Sequence, residues 1–155
     1  MLKFIRALHI TGAVVFFGSI LRHAITGLAE GVHDNAQTYL LTRQIVDIAT
    51  WYLTLPGLVL LTLTGIALVV MRERPIRHLR PHLFIVALIL LNAVFILLPT
   101  GQAILSISSD LAAGSGSNSE LSVLQEREAM FGAANILLCL VAVFVGVIKP
   151  GGGKE

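Results

Sequence analysis

Apolar positions dominate this chain in four long runs, and polar positions are confined to the gaps between them. A hydrocarbon core of about 30 Å takes roughly 20 helical residues. Four stretches meet that length: residues 4–28, 52–71, 82–106 and 130–148. Their apolar faces show no alternation of the strand type. The pattern predicts an all-α integral membrane protein, a four-transmembrane-helix bundle forming one domain over residues 1–155. Pro99 is expected to bend the far end of the third helix. Lys149-Pro150 and a glycine run end the fourth. The stretch "AQTYLLTRQIVDIATWYL" before the second run has helical periodicity and is expected to extend that helix outward.

Composition agrees with this. Hydrophobic residues make up 55% of the 155 positions and charged residues 13%, against about 25% charged in soluble domains. Mean hydropathy is +0.85. The first 21 residues imitate a signal peptide, but Leu21-Arg22-His23 follows where a small-residue cleavage site would stand, so a retained helix is expected.

Charge sets the expected orientation. Basic residues in short loops stay on the cytoplasmic side. The second gap, "RERPIRHLR", carries Arg72, Arg74, Arg77 and Arg80. Lys3, Arg6, Lys149 and Lys154 sit at the chain ends. Both termini are therefore expected to be cytoplasmic. The first gap and "SSDLAAGSGSNSELSVLQERE" then lie outside, the latter as a mobile Gly/Ser-rich loop. The net charge of +2 is spread over segment ends and points to no nucleic acid.

Few residues can carry chemistry. His9 lies one turn inside the first helix and shares a stripe with Gly12, Ala13, Phe16, Ile20 and His23. Gly12, Ala13 and Gly18 keep that helix slim, for close packing or for a flat cofactor. His23 lies 14 residues further, about 21 Å along the axis, so the two histidines cannot share a metal. His82, at the start of the third helix, lies at the depth of His9. Two such histidines can clamp one haem iron, with Arg77, Arg80 and Arg6 available to the propionates. The alternative is packing: His9 bonded to a neighbouring helix, His82 at the headgroups, and a loop that is basic only to fix topology. His78 is four residues before His82, but Pro81 argues against one helix carrying both. At the other end, Arg22 and His23 are expected near Asp47, in an ion pair or a small anion site. His33 reads as a loop residue, and Asn92 and Asn135 as mid-membrane packing polar groups. The single cysteine excludes an intrachain disulfide. Phosphate-binding glycine loops, CxxC pairs and a Ser-His-Asp order are all missing, which argues against a nucleotide enzyme or soluble-type hydrolase.

The runs "LHITGAVVFFGSIL", "VDIATWYLTLPGLVLLTLTGIALVV" and "HLFIVALILLNAVFILLP" resemble a bacterial family of predicted integral membrane proteins, a numbered domain of unknown function with four to five helices. The residues that carry the resemblance are His9, Gly12, Gly18, Asp47, Trp51, Pro56, Thr64 and Gly65. More widely, the chain is similar to HemJ-like protoporphyrinogen oxidases and CopD-like membrane proteins. The HemJ likeness implies haem binding at His9, a role for Arg22 at the far end of that helix, and a match at Pro56-Gly57. Two positions depart from the HemJ pattern. His82 stands where that pattern has a lysine, and the expected acid falls at Gly132, with Glu128 one turn away. A histidine in place of the lysine favours six-coordinate haem and electron transfer over porphyrin oxidation.

The leading expectation is a b-type haem protein of the bacterial inner membrane, with His9 and His82 as axial ligands and quinone or a porphyrin as partner. A homodimer or a place in a larger membrane complex is expected, because the bundle is small. Two alternatives stand beside it: a cofactor-free structural or assembly subunit, and a CopD-like metal-handling protein. Met1, Met71 and Met130 lie at segment ends, which argues against soft copper ligation.

Overall fold

The computed structural model describes residues 1–30, 35–71 and 80–147. These form α1 (Leu2–Glu30), α2 (Ala36–Ala49), α3 (Leu55–Val70), α4 (Arg80–Asn92), α5 (Leu98–Ala112) and α6 (Asn118–Val147). There is no strand among the described residues. Short π-helical segments, Thr50–Thr54 and Ala93–Leu97, join α2 to α3 and α4 to α5. Among the described residues, four helices are long and apolar enough to cross a membrane: Leu2–Gly27, Ala36–Val70, Arg80–Ala112 and Asn118–Gly146. The expected all-α membrane bundle is thus what the chain forms. Its first and third spans start at one end, which carries Lys3, Arg6 and Arg80 and is called the basic end below.

Both π segments have the same cause. Each is followed by Leu-Pro, at Pro56 and Pro99. A proline has no N–H, and its ring clashes with the carbonyl four residues back. Widening one turn to π geometry accommodates both problems without breaking the helix. The bends expected at Pro56-Gly57 and Pro99 are therefore bulges in continuous helices.

The spans are longer than the apolar runs. The expected outward extension of the second helix is present as α2. The third helix runs to Ala112 and the fourth begins at Asn118, so the expected mobile loop shrinks to residues 113–117. A Schellman turn explains the compactness. Gly114 takes φ +82°. Its N–H donates to the Leu111 carbonyl and that of Ser115 to the Asp110 carbonyl. Glycine reaches this left-handed conformation without Cβ strain.

The core is small and mid-bundle: Phe16, Ile20, Leu58, Ile89, Cys139 and Ala142. Large side chains such as Ile10, Val14, Leu63, Phe84, Phe95 and Phe144 are exposed, and so suited to lipid. Buried positions include Ser19, Thr64, Asn92, Thr100, Ser108 and Asn135. This arrangement fits a lipid solvent, where polar groups must find partners inside. Ser108, Thr100 and Thr64 return their hydroxyls to carbonyls four residues back. Asn92 donates to the Phe131 carbonyl and to Asn135 Oδ1 at 2.9 and 3.2 Å, the interhelical tie expected of these two residues.

The closest helix pair is α1 with α3. A Cβ on Gly12 would lie 2.8 Å from the Leu61 nitrogen, and one on Gly57 2.9 Å from the Phe16 nitrogen. Each glycine lets the opposite backbone approach. Gly12 therefore serves packing against α3. Around Gly18 there is open space within 4 Å.

Candidate functional site

At the basic end, two histidines make the same contact on two helix pairs. His9, on α1, places Nδ1 3.1 Å from the Leu61 carbonyl and 3.1 Å from Thr64 Oγ1, both on α3. His82, on α4, places Nδ1 3.1 Å from the Ala142 carbonyl of α6. A carbonyl oxygen only accepts, so the proton sits on Nδ1 in both rings. Thr64 donates its own hydroxyl to the Leu60 carbonyl and can accept part of the His9 proton. Under each ring, four residues beyond the accepting carbonyl, lies a glycine. A Cβ on Gly65 would come within 3.2 Å of His9 Cε1, and one on Gly146 within 3.4 Å of His82 Cε1. Glycine, backbone carbonyl and ring together fix each imidazole.

This local repeat is not visible as sequence identity. "LTLTG" ends at Gly65 and "VAVFVG" at Gly146, and only the spacing from carbonyl to glycine is common. Chemically, each neutral ring keeps its Nε2 lone pair for a partner outside the helix pair. Arg6 and Arg80 are exposed at this end. Arg77, His78, Lys149, Lys154 and His33 lie outside the described residues.

The opposite end holds a cavity of about 630 Å³. Its deep walls are apolar, including Phe16, Ile20, Leu58, Ala93 and Ile136. Its polar groups are His23, Arg43, Asp47, Thr50, Thr54, Gln102, Gln125, Glu126 and Glu128, with Asn135 deeper. Both π segments contribute to the wall, through Thr50, Thr54, Ala93 and Leu97. Arg43 is 4% exposed and grips both oxygens of Glu128, at 3.0 and 2.8 Å. The expected Arg22–Asp47 pair does not form. Asp47 accepts from the Gln102 amide instead, and Arg22 Nη1 is buried without a hydrogen-bond partner. The reason is position: Arg43, on the same helix as Asp47, takes the acid on α6, while Gln102 on α5 reaches Asp47. His23 Nε2 lies 3.1 Å from Thr54 Oγ1, and its Nδ1 is buried without a partner.

Arg43 and Gln125 were not among the sequence candidates. One signal is available: Arg43 and Asp47 are four residues apart in a helical stretch with no other charge, so they share a face that must be satisfied inside the bundle.

A family model, "Predicted integral membrane protein (DUF2269)", matches residues 3–150. The chain belongs to this family. No curated protein and no solved structure matches it. The family description agrees with the fold.

Proposed function

We propose that this membrane protein binds haem b at the basic end, with His9 and His82 as axial ligands, and exchanges electrons with a membrane partner. The observation that carries the proposal is the shared fixation of the two rings. Each donates Nδ1–H to a backbone carbonyl, which holds the tautomer with Nε2 free, the arrangement that orients and strengthens a metal-ligating histidine. Glycine under each ring keeps its face close to the helix. When bound, the haem would supply one-electron redox chemistry. The protein's own residues would hold it: His9 and His82 at the iron, with Arg6, Arg77 and Arg80 available for the propionates. A quinone or a porphyrin-like substrate suits this chemistry as partner, as in the HemJ-like resemblance. The bacterial inner membrane is the location that reading carries with it.

The test is an absorption spectrum of the detergent-purified protein, oxidised and dithionite-reduced, after expression with ample haem. A Soret band with sharp α and β bands is expected. It should be lost in His9→Ala and in His82→Ala. A colourless wild-type preparation would sink the reading.

A second reading rests on the same hydrogen bonds. His9 ties α1 to α3 and His82 ties α4 to α6, so both can serve as structural glue in a cofactor-free subunit of a membrane complex. Under that reading the protein is colourless and both alanine variants lose stability alone. Metal handling of the CopD type has less behind it. Among the described residues no group of three or more His, Cys, Asp or Glu converges on one point.

A further inference from the structure

We infer that the cavity at the end opposite the basic one is a binding site for a lipophilic hydroquinone. The ring would lie between His23 and Glu128, and the tail against Phe16, Leu58 and Ile136. His23 makes the first demand on an occupant. Thr54 Oγ1 lies 3.4 Å from the Ala49 carbonyl, which only accepts, and 3.1 Å from His23 Nε2, where either group can donate; the proposed occupant corresponds to the tautomer with the ring proton on Nε2. His23 Nδ1 is then a lone pair, and it is buried with no partner. A buried acceptor left unmet is costly. It calls for a donor on whatever fills the cavity.

The second acceptor is Glu128. Arg43 fixes its carboxylate through both oxygens, yet the side chain remains 31% exposed. His23 stands on α1 and Glu128 on α6, and both line the cavity. The occupant therefore meets two acceptors from two helices. An anionic head is disfavoured, because Asp47 also lines the chamber and Arg43 is already engaged by Glu128. A neutral head with two hydroxyl donors on a rigid frame fits both acceptors, whereas a simple alcohol satisfies one. Below the polar groups the walls are apolar. The lining runs from Gln125 to Ile136 on α6, about 16 Å at 1.5 Å per residue, which accommodates a ring and the start of a tail. This site is built from other residues than the histidine pair, and binding there does not require haem.

The test uses the full-length protein in detergent, with and without haem supplied, under anaerobic conditions. Three ligands with the same ten-carbon tail are titrated by calorimetry: a decyl-hydroquinone, its dimethyl ether and decanol. The expected result is saturable binding of the hydroquinone. The ether and the alcohol should bind at least about tenfold more weakly, the scale of one lost hydrogen bond. Gly132 lines the cavity and has open space within 4 Å, so Gly132→Leu should fold and abolish binding. His23→Phe should weaken the hydroquinone about tenfold and leave the ether unchanged. Equal affinity for the three ligands, full binding by Gly132→Leu, or no binding at all overturns the inference. A colourless protein that binds hydroquinone refutes the haem reading alone. A haem protein that does not bind it refutes this inference alone.

Discussion

The two ends of the bundle hold polar groups in opposite ways. At the basic end, His9 and His82 bond to main-chain carbonyls of the neighbouring helix. A backbone carbonyl is supplied by every residue, so such a tie asks nothing of the partner side chain and leaves half of the imidazole uncommitted. At the opposite end, side chains hold one another: Arg43 with Glu128, Gln102 with Asp47, Gln125 with Tyr39. There most capacity is used in pairing, and removing one member takes a side-chain partner from the other. The first arrangement suits an external ligand and tolerates mutation thermodynamically. The second builds the walls of a chamber and makes the fold depend on each partner.

The sharpest way to break this comparison is to remove Glu128. Arg43 is 4% exposed, and Glu128→Ala leaves its charge without the carboxylate. Breaking a buried pair from one side costs about 3–5 kcal/mol. The partial exposure of Glu128 places the expectation near the lower figure. Replacing both, as Arg43→Met with Glu128→Leu, should recover most of the loss. Detergent unfolding of the single and double variants measures this. Equal stability of Glu128→Ala and wild type would show that the opposite end is not held by its pairs.

The second effect separates packing from chemistry on α1. Gly12→Leu must push α1 from α3, since a Cβ there would lie 2.8 Å from the Leu61 nitrogen. Overpacking of this kind costs about 1–3 kcal/mol. Gly18→Leu, with open space around Gly18, should stay within about 0.5 kcal/mol of wild type. Similar losses at the two positions would remove the special role of the α1–α3 contact.

These expectations also show what the amino-acid order carries. Lipid as solvent makes the spans legible, because length and hydropathy alone decide them. The pairing of His9 with a neighbouring helix was equally open to reading, since a polar group in a span has few places to go. The carbonyl partners were hidden, because any residue type offers one, and Leu61 and Ala142 carry no mark of the role. The loop after the third span was read as mobile from its Gly/Ser content, whereas Gly114 closes it in one turn. Sequence pairs Arg22 with Asp47 because both lie near one membrane edge. Which acid meets which base depends on rotation about the helix axes, and hydropathy does not specify that. Arg43 does not stand out in the sequence, because burial of an arginine is set by the α5 and α6 neighbours.

At the basic end the thermodynamic effect should be smaller and the functional one complete. His9→Ala or His82→Ala removes one interhelical hydrogen bond, worth about 1 kcal/mol. The haem spectrum should nonetheless vanish in each, while hydroquinone binding at the other end persists. A loss of stability near that of Glu128→Ala, with no spectrum in the wild type, would make the two ends alike and favour the structural reading.

The smallest effect lies between the two ends. Asn92 and Asn135 meet mid-bundle, where Asn92 also donates to the Phe131 carbonyl. Asn92 thus combines the two modes, one bond to backbone and one to a side chain. Its Oδ1 is buried with no partner, so the residue carries a desolvation cost that offsets part of its bonds. Interhelical hydrogen bonds in membranes average about 0.6 kcal/mol, with a maximum near 1.7. A double-mutant cycle of Asn92→Ala and Asn135→Ala should give a coupling at or below that average. The bond to the Phe131 carbonyl does not enter the coupling, because Asn135→Ala leaves it in place. Asn92→Ala should therefore cost more than Asn135→Ala. The reverse order would mean that the side-chain pair, rather than the backbone tie, holds α4 to α6 at mid-membrane.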